Sequence, residues 1–112
     1  MTTIWKNLTP HSLTVDGLGE LPPSGVVTRC RTIREPLHDL TDSTGVRLIQ
    51  QDYGDVTDLP APCAGVMYIV SSLVLNALRW QGIERDDVWA PDTGPDAIRK
   101  AGVVVGVRGL VQ

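Results

Sequence analysis

Five consecutive apolar residues, Val66-Met67-Tyr68-Ile69-Val70, run directly into Ser71-Ser72 and then into Leu73 to Trp80. This junction constrains the fold more than any other stretch of the chain. An unbroken apolar run of that length suits a central strand covered on both faces. Either serine can then cap a helix through its hydroxyl, and Gly82 stops it. The spacing predicts a helical core face of Leu73, Val74, Ala77 and Leu78, with Asn76 and Arg79 outward. The other segments read as β, so the chain is expected to be α+β: a mostly antiparallel β-sheet with one principal α-helix packed on it.

Thr3 to Lys6 and Ser12 to Asp16 read as short strands, with a turn at Gly17-Leu18-Gly19-Glu20 and a second at Leu21-Pro22-Pro23-Ser24-Gly25. Val26 to Arg34 reads as a longer strand, with Val26, Thr28, Cys30 and Thr32 on the buried side and Val27, Arg29, Arg31 and Ile33 partly solvated. Glu35 to Gly45 is rich in breakers and is expected to be a loop. Val46 to Asp52 reads as a strand ending at Tyr53-Gly54, and Asp55 to Gly65, with two prolines, as a long irregular connection. Asp96 to Lys100 suits a helical turn, and Val103 to Val107 a final strand whose valines predict a central position.

A chain of 112 residues makes one domain, 1–112, able to bury a core. It has no Phe, so that core must come from Val, Leu, Ile and Ala. A net charge of −3 argues against general nucleic-acid binding. Eight of its ten basic residues are Arg, the side chain best suited to bidentate capture of phosphate or carboxylate. No basic start is followed by an apolar run, and the stretch from Val66 to Leu78 is broken by Ser71, Ser72 and Asn76. The expectation is a cytoplasmic protein without a membrane partner, with Cys30 and Cys63 compatible with free thiols.

Polar groups gather at the ends of the predicted core elements. Asn7-Leu8-Thr9-Pro10-His11 combines side chains that bond to nearby backbone with a proline that fixes φ, and so predicts a defined turn holding His11. A helix starting at Ser71 or Ser72 would present free N–H groups that suit an anion. Arg85 or Arg29 could add a bidentate contact, and Asp86, Asp87 or Asp92, with Thr93 beside it, could hold a ribose hydroxyl. The ligand-binding candidates are therefore Asn7, Thr9, His11, Ser71, Ser72, Arg85, Asp87, Asp92 and Thr93. Caps, turns and an Arg85–Asp87 pair explain the same residue types without a ligand. Arg29, Arg31 and Trp89 are candidates for a surface that meets a protein partner, and edge strands could pair in a homodimer.

Nucleophilic catalysis finds little support. Ser71 lacks the glycines of a nucleophile elbow, and nothing places Cys30 or Cys63 next to His11 or His38. The two His and two Cys are scattered without ligand spacing, so no metal and no cofactor is expected.

Asn7-Leu8-Thr9-Pro10-His11, Pro23-Ser24-Gly25, Tyr53-Gly54-Asp55-Val56, Leu59-Pro60, Tyr68-Ile69-Val70-Ser71, Arg85-Asp86-Asp87-Val88, Pro91-Asp92-Thr93-Gly94-Pro95 and the closing Gly-Val-Arg-Gly-Leu occur in that order. In these pieces the chain resembles a group of short proteins of actinobacteria and their phages that open on N-L-T-P-H. The resemblance implies a phage or prophage setting, in which small accessory proteins bind a host component or a small molecule. Two functions are expected in turn: a non-enzymatic binder of a small anionic, nucleotide-like ligand, serving against a nucleotide-signalling defence, or an interaction protein that grips a host macromolecule.

Overall fold

The computed structural model describes residues 2–36, 45 and 48–112. Its centre is a four-stranded sheet in the order β1-β6-β7-β10. β1 (Ile4–Asn7) and β7 (Val88–Pro91) flank β6 (Val66–Ile69) in parallel, and β10 (Leu110–Val111) pairs antiparallel with β7. Asn7, Ile69 and Trp89 stand side by side in the ladder, so the C-terminal ends of three parallel strands share one edge of the sheet.

α1 (Ser72–Trp80) connects β6 to β7, as parallel neighbours require a crossover. It is capped by Ser71, whose hydroxyl accepts the Val74 N–H at 3.2 Å. Val74, Leu75 and Leu78 pack on Val66, Tyr68, Val70, Val88 and Ala90, with Leu8 closing the cluster. The buried stripe thus runs through Leu75 and not the expected Leu73, which lies over an open cavity beside Cys30.

Three antiparallel ribbons surround this core: β2 (Leu13–Val15) with β3 (Gly19–Leu21), β4 (Arg29–Pro36) with β5 (Ile49–Thr57), and β8 (Ile98–Lys100) with β9 (Val103–Gly106). Antiparallel pairings therefore predominate in an α+β fold, while the sheet that carries the helix is mixed. Val15, Ala97 and Val107 form a second, smaller core with Leu13, Leu21 and Leu110. The radius of gyration is 16.8 Å, against about 13 Å for a compact chain near this length.

Several boundaries differ from expectation. The strand expected from Val26 starts at Arg29, and of its inward side only Thr28 is buried, Cys30 being half-buried and Thr32 and Val26 exposed. β5 runs through Tyr53-Gly54 to Thr57, because an extra residue is absorbed as a bulge opposite Arg31. A Cβ at Gly54 would meet the Arg31 Cβ at 3.0 Å, so glycine permits the close approach there. Ile98 to Lys100 is a strand and not part of a helical turn, closed onto β9 by Ala101-Gly102. β9 is peripheral and not central, with Val103, Val104 and Val105 exposed. The part of the expected 35–45 loop at 37–44, with His38 in it, and Val46 and Arg47 of the next expected strand lie outside the described residues.

Candidate functional site

The N-L-T-P-H turn is built around Asn7. Its side chain is buried, donates to the carbonyls of His11 and Leu21 at 2.8 and 2.9 Å, and accepts from the Thr9 N–H at 3.0 Å. The Thr9 hydroxyl lies 2.6 Å from the Asn7 Oδ1 and 3.0 Å from the His11 carbonyl oxygen. The turn ties the end of β1 to β3 and leaves the His11 imidazole exposed.

Thr9, Ser71 and Pro91 each lie two residues beyond the aligned residues Asn7, Ile69 and Trp89, so they emerge at one edge of the sheet. The carboxyl edge of parallel strands is where open α/β sheets place their ligands. Asp92 and Thr93 come next on that edge. Asp92 accepts the Gly94 N–H at 3.0 Å, and the Thr93 carbonyl accepts from Arg99 at 3.1 Å.

Arg85 and Asp87 are elsewhere. Asp87 precedes β7 and bonds through its carbonyl to the Tyr68 N–H, four ladder positions before Ser71, a separation of about 13 Å along the strands. The Arg85 Nε and Nη2 donate to the two Asp87 carboxylate oxygens at 2.7 and 2.9 Å, and Nη2 also reaches the Pro60 carbonyl at 3.0 Å. Hydrogen bonding to Arg85 holds the Asp87 carboxyl below its ordinary range, and Asp87 in turn raises Arg85. The Gln112 amide closes this corner on the Arg85 and Val88 carbonyls. This is a clamp joining Pro60, the start of β7 and Gln112.

Of the candidate arginines, Arg29 is the one that lines a cavity at the start of α1. A cavity of about 200 Å³ there is lined by Thr9, Thr28, Arg29, Cys30, Ser71 and Leu73, among others. The Ser72 and Leu73 amides, in the first turn, have no intrahelical acceptor. Arg29 and Cys30 also line a second, larger cavity of about 510 Å³ with Arg31, Asp55 and Thr57. The two cavities share Arg29 and Cys30 in their linings, one at the start of α1 and the other on β4 and β5. Burial raises the Cys30 thiol, and its Sγ lies 3.8 Å from the Leu73 carbonyl oxygen; such a thiol is a weak nucleophile.

Asp55 and Thr57 were not among the sequence candidates; only the pairing of β5 with β4, carried past Gly54, brings them beside Arg29 and Arg31. Trp89 is half-buried, and its indole N–H is enclosed with no acceptor among the described residues. Trp80, in contrast, is 61% exposed and lies 6.1 Å from the Tyr53 ring. Among the described residues, no three His, Cys, Asp or Glu side chains gather in a group fit for a metal, and no helix is long and apolar enough to cross a membrane. Comparison with known families, curated proteins and solved structures finds no match to the chain.

Proposed function

We propose that this protein is a small phage-type accessory protein that binds a phosphate-bearing, nucleotide-like ligand in the groove between α1 and the β4–β5 ribbon, without catalysing its conversion. The observation that carries the reading is the position of Arg29, shared by the cavity at the helix start and the cavity with Arg31. A phosphate at the first turn of α1 would meet two amides, the positive end of the helix and one guanidinium. The remainder of the ligand would lie along β4 and β5, where Asp55 and Thr57 can bond to hydroxyls and Arg31 to a second phosphate. Sequestering such a molecule would counter a defence based on nucleotide signals.

Calorimetric titration with a nucleoside diphosphate tests this on the wild type, Arg29→Ala and Arg85→Ala. Loss of a charge-assisted contact by Arg29→Ala should weaken binding by roughly ten- to a hundredfold. A folded Arg85→Ala variant should bind as the wild type does, since Arg85 is held by Asp87 away from the groove. Equal loss in both variants, or no binding by the wild type, contradicts the reading. The second reading, an interaction protein, is favoured by the exposed Trp80 and its Tyr53 neighbour. Trp80→Ala should then abolish capture of a host protein and leave the nucleotide titration unchanged.

A further inference from the structure

We propose that the outer edges of β4 and β5 are the two halves of a head-to-tail self-assembly surface, in which β4 of one copy pairs antiparallel with β5 of the next. The inference rests on strand edges and charge, not on the ligand reading.

The β4–β5 ribbon is a sheet of its own. α1 covers its inner half through Cys30 and Val56, with Trp80 reaching Tyr53. Farther out, every residue from Arg31 to Glu35 and from Ile49 to Gln51 is exposed, including Ile33 and Ile49. An isolated two-stranded ribbon is marginal in water, and among the described residues no further strand pairs with either outer edge to receive its backbone N–H and C=O groups. A third strand would satisfy both needs.

Charge selects which strand that is. β4 carries Arg29, Arg31 and Arg34 against one Glu35, whereas β5 carries Asp52 and Asp55 and no basic residue. The ion pairs among the described residues are Arg85–Asp87 and Arg108–Asp16, and neither involves a β4 or β5 charge. A two-fold contact through β4 would set Arg strand against Arg strand, and one through β5 would set Asp against Asp. Like charges across a strand pair are destabilising and opposite charges are favourable. Only β4 on β5 of another copy opposes Arg to Asp. That contact is heterologous, so it generates a closed ring or a filament and not a two-fold dimer.

The test is the assembly state by native mass spectrometry and light scattering of the full chain and two charge-reversed variants. One, Arg31→Glu with Arg34→Glu, makes both edges acidic; the other, Asp52→Arg with Asp55→Arg, makes both basic. The wild type is expected to form a species larger than a dimer. Each variant alone should be a folded monomer by circular dichroism. Mixing the two should restore assembly, because acidic and basic copies can then alternate, and this rescue separates lost pairing from lost folding. A wild type that stays monomeric at its highest soluble concentration, or that stops at a dimer, overturns the proposal. So does a mixture of folded variants that fails to assemble.

Discussion

Val66 to Val70 and Val103 to Val107 are both short, valine-containing runs with a strong β tendency. Yet the first is largely buried, while Val103, Val104 and Val105 of the second are exposed and only its end, at Val107, enters a core. Tyr68, Ile69 and Val70 of the first are essentially inaccessible, whereas Val103 of the second is 65% exposed. Both form strands, as β-branched side chains favour. Their neighbours along the chain make the difference. Val70 leads into a capped amphipathic helix that folds back over the sheet, while β9 is joined to β8 by two residues and has no helix to cover it. Composition sets the backbone state of such a run, and the adjoining element sets its burial.

The same substitution in both runs separates the two environments. Val70→Ala removes two buried carbons and leaves a cavity, and should cost about 2 kcal/mol in urea unfolding. Val103→Ala should change stability by no more than about 0.5 kcal/mol. Equal costs would mean that β9 is covered in solution.

The Arg85–Asp87 clamp extends the closed region to the C-terminal residues. Asp87→Asn leaves a largely enclosed guanidinium without its counter-charge, and should destabilise by about 2 kcal/mol at neutral pH, less than a fully buried pair would lose. The Asp87 carboxyl titrates lower in the folded chain than in the unfolded one. Its contribution is therefore complete above the unfolded value of about 4 and is lost as pH falls through the folded one. The stability gap between wild type and Asp87→Asn should narrow below about pH 4, checked by urea midpoints across pH. A gap independent of pH would remove the ion pair from the account.

The smallest effect belongs to the open region. Ala101 has φ of 53° and Gly102 of 80° in the β8–β9 connection, a conformation in which alanine is strained and asparagine is favoured. Ala101→Asn should stabilise the hairpin by about 0.5 kcal/mol, read as a small rise in Tm. A fall in Tm would contradict the turn.

The central strand, its serine cap and the helix were legible because each is a local pattern with a local cause. The α+β architecture followed from them. Leu73 and Leu75 could not be told apart, since both border the same helical stripe and only the cavity beside Cys30 decides which is covered. The extent of β5 was hidden by Tyr53-Gly54, which reads as a strand end but leads into a bulge opposite Arg31, where glycine permits the close approach. For the site, Asn7, Thr9 and Ser71 were legible as turn and cap residues, and the structure gives them those bonds. The choice between Arg29 and Arg85 was not, because it depends on which end of the parallel strands each one reaches.

Amide chemical-shift mapping by NMR, during titration with a nucleoside diphosphate, decides between those two arginines and so between a groove at the start of α1 and none. Saturable shifts are expected at Ser72, Leu73, Arg29 and Thr57, with Arg85 to Val88 unmoved. Shifts centred on Arg85 to Val88, or none at the start of α1, would contradict the assignment of the groove as the ligand site.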